Sequence, residues 1–167
     1  YLANMTVNFK PPEIRRLLRE AGIPFAETAS KPLLVLPVLS QGGASMLWDE
    51  NNLWRDAWSE VPLNSGLIPL ILPVGDLSDI SGVDAAQAIE GDPFLLSAMA
   101  GRYRAGDVLV AIATLSGNAD AIRIDIAARK IGATIGGPIS FNFQISDVNG
   151  IPELLRGAVT GISAALE

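Results

Sequence analysis

The chain has 167 residues, 49% of them hydrophobic, a formal net charge of −6, and neither cysteine nor histidine. Its length suits one domain with a substantial core. The charge argues against a nucleic-acid partner, whose phosphates demand a Lys/Arg face, and the missing residue types remove thiolate and imidazole nucleophiles, bases and metal ligands together.

Residues 1–9 come first and alternate. Tyr1, Ala3, Met5, Val7 and Phe9 fall on one side, and Asn4, Thr6 and Asn8 on the other, which predicts a half-buried strand. Pro11-Pro12 then opens a helix, with Glu13 favourable in its first turn. Ile14, Leu17, Leu18 and Ala21 form its expected apolar stripe, and Gly22 its stop. Arg15, Arg16 and Arg19, the densest basic segment, read as a solvated face of this helix.

Two near copies follow, Leu33-Leu34-Val35-Leu36-Pro37-Val38 and Leu70-Ile71-Leu72-Pro73-Val74. A third apolar run, residues 108–113, lacks the proline. Unbroken runs of this length predict strands buried on both faces, here 33–38, 67–72 and 107–115, with the prolines marking where strands leave the sheet. The longest apolar stretches, 32–39 and 66–75, are too short to span a bilayer.

Between the first two runs, residues 40–45 read as a flexible loop. Asn51 or Asn52 can cap a helix running to about Glu60 that carries Trp54 and Trp58 on one face. After the second run, Asp76 and Asp79 lie in turn chemistry, and 85–89 is short and helical or irregular. Asp92-Pro93 starts a helix that ends near Tyr103 and Gly106. Residues 116–120 are a hairpin turn into 121–130, where Ile122, Ile124 and Ile126 alternate with Arg123, Asp125 and Ala127. Residues 139–145 alternate again, and 151–166 form a closing amphipathic helix. The expected fold is α/β, borderline α+β. It has one mixed sheet with parallel βα units, then an antiparallel meander, and helices on the faces.

In such sheets sites gather at the carboxyl ends of the parallel strands, which places 41–48, 75–79 and 116–120 as candidate loops. The tryptophans could anchor a partner. Trp54 and Trp58 read better as buried stripe, while Trp48 stands before the helix and suits either role. Asp76 and Asp79 could hold a divalent cation or act as acid and base, although carboxylates in turns are more often caps. Ser40-Gln41-Gly42-Gly43 lacks the lysine and spacing of a phosphate cradle and reads as a plain loop. No nucleophile–base pair can be assembled.

Residues 31–37 (KPLLVLP), 47–58 (LWDENNLWRDAW), 67–76 (LIPLILPVGD) and 100–103 (AGRY) resemble the proteobacterial family catalogued as domain of unknown function 2066, across most of the chain. That resemblance implies an exported envelope protein, hence the periplasm. A chain opening on Tyr1 agrees with a single domain, 1–167, excised from a longer exported protein. More loosely, the order of elements is similar to the TolB N-terminal domain and to lipoprotein activators of penicillin-binding proteins, which are non-catalytic interaction modules. The expected function is therefore a non-catalytic envelope domain that binds a protein partner or a cell-wall component through Trp48, Asp49, Asp76 and Asp79. No catalytic residue, metal or cofactor is assigned, and no membrane span. The alternative is a small-molecule or metal-dependent enzyme using Asp49, Asp76 and Asp79.

Overall fold

The computed structural model describes residues 11–22, 30–63, 66–118, 120–132 and 137–166. The chain divides into two compact units, Tyr1–Ser30 and Lys31–Glu167. In the first, α1 (Pro11–Glu20) has its prolines and Glu13 in the first turn, where a missing N–H costs nothing and a negative charge meets the positive end of the dipole. Leu18 of its expected stripe is half-buried, while Leu17 and Ala21 are exposed. The strand expected over 1–9 lies outside the described residues.

The second unit is built on a mixed sheet of β1 (Leu33–Gln41), β2 (Ala44–Met46), β3 (Leu70–Ile71), β4 (Asp107–Asn118), β5 (Ala121–Ile131) and β6 (Ile139–Ile145), in the order β2-β1-β4-β5-β6, with β3 beside β1. β1 runs parallel to β3 and β4, and the other pairs are antiparallel. Among the described residues, five α-helices accompany them: α2 (Leu53–Glu60), α3 (Leu77–Gly82), α4 (Ala85–Glu90), α5 (Pro93–Arg102) and α6 (Ile151–Ala165). Parallel units leading into an antiparallel meander are the architecture that the apolar runs and alternating strands predict.

Because side chains alternate across a strand, β1 supplies two cores at once. Leu33, Val35 and Leu39 join Trp54 and Trp58 of α2, Leu155, Val159 and Ile162 of α6, and the apolar side of β5. Leu34, Leu36 and Val38 join Val83, Ala88 of α4, and Leu96 and Met99 of α5 on the opposite face. A strand sealed on both sides has no use for a polar residue, so its run is unbroken. β5 is covered on one face only, so Arg123, Ala127 and Arg129 stay exposed between Ile122, Ile124, Ile126 and Ala128.

Three expectations need correcting. The twin runs are not twin strands: β1 spans nine residues, whereas β3 keeps two of the expected 67–72 and pairs only with the start of β1. Pro69 and Pro73 flank it, and neither can donate to a ladder. Pro37 does not end its strand, since β1 continues to Gln41. Pro37 sits where β1 has β4 on one side but neither β2 nor β3 on the other. Its carbonyl turns that way to accept from Asn52 Nδ2 at 3.0 Å, and a residue's N–H points the same way as its C=O, so the missing donor faces a gap. Finally, residues 40–45 are not a loose loop but a tight hairpin, with Gln41 opposite Ala44. Gly42 and Gly43 have φ of 61° and 83°, as a two-residue primed turn demands.

Candidate functional site

The Asp76–Asp79 segment forms a clamp. Asp76 caps α3, its Oδ1 accepting from the backbone N–H groups of Ser78 and Asp79, both at 2.9 Å. The Asp79 N–H above all holds the Asp76 carboxyl below its ordinary range; burial opposes this, and Arg102 and the Ser78 N–H add to the lowering. Asp79 has no exposed surface. Its Oδ2 accepts from the Gly75 N–H at 2.9 Å and the Tyr103 hydroxyl at 2.6 Å. Its Oδ1 accepts from Arg102 Nη1 at 2.8 Å. Tyr103 also accepts from the Val74 N–H at 2.9 Å. The end of α5 thus locks the strand-to-helix turn 74–79 through one buried carboxylate.

Arg55 of α2 holds the same turn from another side. Its Nη2 donates to the carbonyls of Pro73 and Val74, at 2.6 and 3.2 Å. Its guanidinium lies over the Trp48 ring, 5.5 Å from the centroid, and Trp48 Nε1 donates to the Val83 carbonyl at 2.7 Å. Gly75, at φ 80°, fits between them: an added Cβ would stand 3.3 Å from Arg55 Nη2 and 3.4 Å from the Trp48 ring. Burial draws the Arg55 guanidinium down from its ordinary value, opposed by the charges of Asp79, Tyr103 and Asp56. Trp48, Asp76 and Asp79 therefore belong to one neighbourhood. Asp49 stands at its rim, exposed, with its backbone carbonyl accepting from the Asn52 N–H.

This geometry constrains the chemistry. Both Asp79 oxygens are engaged, so the residue cannot ligate a cation or take a substrate proton without dismantling the turn. Among the described residues, no three Asp or Glu side chains gather where a metal ion could be held. The clamp instead presents apolar surface. Val74, Leu77 and Ile80 are 78%, 85% and 47% exposed, and Leu77 and Ile80, three apart, share a face of α3.

Sequence reading missed Arg55, Arg102 and Tyr103 as partners of this turn. The one available signal was a cation in the last turn of α5, which a helix dipole also explains. Their contacts span 18 to 29 residues of sequence, and no local pattern encodes them. Trp54 and Trp58 are fully buried, as the plain reading of their spacing predicts, and pack edge to face at 5.6 Å.

The carboxyl ends of β1 and β4 do converge on a cleft, of about 750 Å³. Ser40, Gln41, Ser45, Thr114, Ser116 and Asn118 give it hydroxyls and amides, and Leu115, Ile122, Val148 and Ile151 give it apolar surface. The fold thus brings candidate loops 41–45 and 116–118 together, while 75–79 stands outside the cleft lining.

No protein-family model matches the chain, and no curated protein matches it. Two similar solved structures are lipoprotein GNA1162 from Neisseria meningitidis and the LpoB C-terminal domain from Salmonella enterica. The first is 20% identical, with TM-score 0.46, covering 82% of this chain and 97% of that one. The second is 17% identical, with TM-score 0.37, covering 81% and 94%. They match the looser fold likeness drawn above, and no family model supports the resemblance to the domain of unknown function 2066.

Proposed function

We propose that this chain is a non-catalytic domain of the cell envelope that binds a protein partner at the α3 clamp, with Trp48, Asp49, Asp76 and Asp79 supporting the contact surface. The observation that carries the reading is the pairing of exposed Val74, Leu77 and Ile80 with a turn immobilised by Asp79, Arg102, Tyr103 and Arg55. Clustered exposed aliphatic side chains mark interaction surfaces, and a surface already rigid loses less entropy on association. The charged groups divide by role. Asp49 and Asp76 reach solvent, where they can set polarity at the rim, and Asp79 positions the backbone from beneath. The envelope location rests on the sequence resemblance.

Leu77→Asp is the direct test, because Leu77 is 85% exposed and its removal leaves the core intact. Trp48 is a poorer probe, since its ring supports Arg55 and its N–H holds Val83. The variant should melt within a degree or so of the parent, as exposed substitutions do, and lose proteins that the parent captures by crosslinking in envelope extracts. Capture of the same proteins at the same yield would refute the reading. A second reading, small-molecule binding, draws on the cleft at the ends of β1 and β4, whose volume lies in the usual range for ligand sites. Sugars or nucleotides that raise the melting midpoint by binding the folded state would favour it, and Ser116→Trp would then abolish the rise.

A further inference from the structure

Among the described residues, the edges of the sheet are unequal. β2 has three residues, and shortness is one way in which proteins make an edge harmless. β6 has seven, and among the described residues it pairs with β5 alone. Every second residue of such a strand turns its N–H and C=O away from its neighbour, leaving a template for another strand. The strand's own sequence carries none of the usual protections, because Ile-Ser-Phe-Asn-Phe-Gln-Ile holds no charge, no proline and no glycine. Ile139, Phe141, Phe143 and Ile145 pack against the core yet stay half-buried, and Ser140, Asn142 and Gln144 face solvent.

The segment also reads alike in both directions about Asn142. We propose that β6 is a homodimer interface, in which two copies pair their β6 strands antiparallel about a two-fold axis at Asn142. In that register Ile139 meets Ile145 of the second copy, Phe141 meets Phe143, Ser140 meets Gln144, and Asn142 meets its own equivalent. An isologous contact requires this self-complementarity. Apolar and aromatic cross-strand pairs are also the ones that stabilise a sheet. Charge raises no obstacle, although each chain carries −6. The nearby Asp125 is paired with Arg123 at 2.8 Å and accepts from Asn142. The inference is independent of the partner surface at α3.

Sedimentation equilibrium on the 167-residue chain over a range of concentrations tests this directly. The expected mass is that of two chains, with β6 amides protected from hydrogen exchange only at concentrations where the dimer forms. Ser140→Lys combined with Gln144→Lys sets two lysine pairs face to face and should weaken the dimer by about tenfold or more. Ser140→Lys combined with Gln144→Glu places each lysine opposite a glutamate and should restore it. Both positions are exposed, so far-UV circular dichroism should match the parent. A monomer at all concentrations overturns the proposal, as does a dimer indifferent to the lysine pair or one not recovered by the charge-swapped variant. β6 amides protected in a monomer also overturn it, and would assign the edge to another segment of the same chain.

Discussion

A carboxylate without exposed surface is tolerated only where donors replace the water it has lost. Asp79 has three such donors, from Gly75, Arg102 and Tyr103. Asp79→Ala should therefore cost about 3 kcal/mol in chemical denaturation, since it orphans a backbone N–H and releases the turn. Arg102→Ala should cost less, because its guanidinium is partly exposed and water can take its place. Tyr103 adds a pH signature. Burial first, and then its bond to Asp79, raise the Tyr103 pKa, so the folded state favours the neutral phenol. The stability this contributes is fully present below the ordinary tyrosine pKa of about 10 and is lost as pH rises through the raised value. The melting midpoint of the parent should fall in that alkaline window, and Tyr103→Phe should lessen the fall. The sequence shows Asp76 and Asp79 as cap or turn residues; Asp76 does cap α3, whereas Asp79 lies inside that helix with its side chain buried. It is silent on Arg102 and Tyr103, which lie 23 and 24 residues from Asp79.

At the scale of elements, α2 shows how much one cap can organise. Asn52 is fully buried and accepts from the Arg55 N–H at 3.0 Å. Its amide donates to the carbonyls of Pro37 and Met46 at 3.0 and 3.1 Å. One side chain thus starts the helix and covers the gap beside β1. The two tryptophans of α2 differ in a way their spacing does not disclose. Trp54 Nε1 donates to the Ala111 carbonyl at 2.9 Å, whereas buried Trp58 Nε1 has no partner among the described residues. Both lose similar volume on replacement by phenylalanine, so the hydrogen bond should separate them. Trp54→Phe is expected to cost about 1 kcal/mol more than Trp58→Phe in urea denaturation. β1 and β3 make the same point for strands. Their Leu-Val-Leu-Pro-Val and Leu-Ile-Leu-Pro-Val runs are almost interchangeable, yet one crosses the sheet and the other touches its margin. Strand length depends on which neighbours are available to pair, and neighbours are set by topology.

At the scale of the whole molecule, each buried hydrophobic residue of the two cores, among the described residues, lies between Leu33 and Ile162. Residues 31–167 form a compact unit of their own, so expressed alone they should unfold in one cooperative transition, and a non-cooperative melt would count against this. Fold class was legible in the sequence because burial on one face or two leaves a periodic trace: unbroken runs for β1 and β4, alternation for β5 and β6, and helical stripes for α2 and α6. Helix starts were legible at Asp92 and at the Asn51-Asn52 pair because a cap is a local hydrogen bond. Tertiary structure alone decided the rest. It shortened β3, carried β1 through Pro37, and drew Arg55, Arg102 and Tyr103 onto one turn. It also brought the loops after β1 and β4 around a common cleft. The physical reason is range: periodicity and capping act within a few residues, whereas strand pairing and buried polar contacts join residues whose distance along the chain carries no local signal.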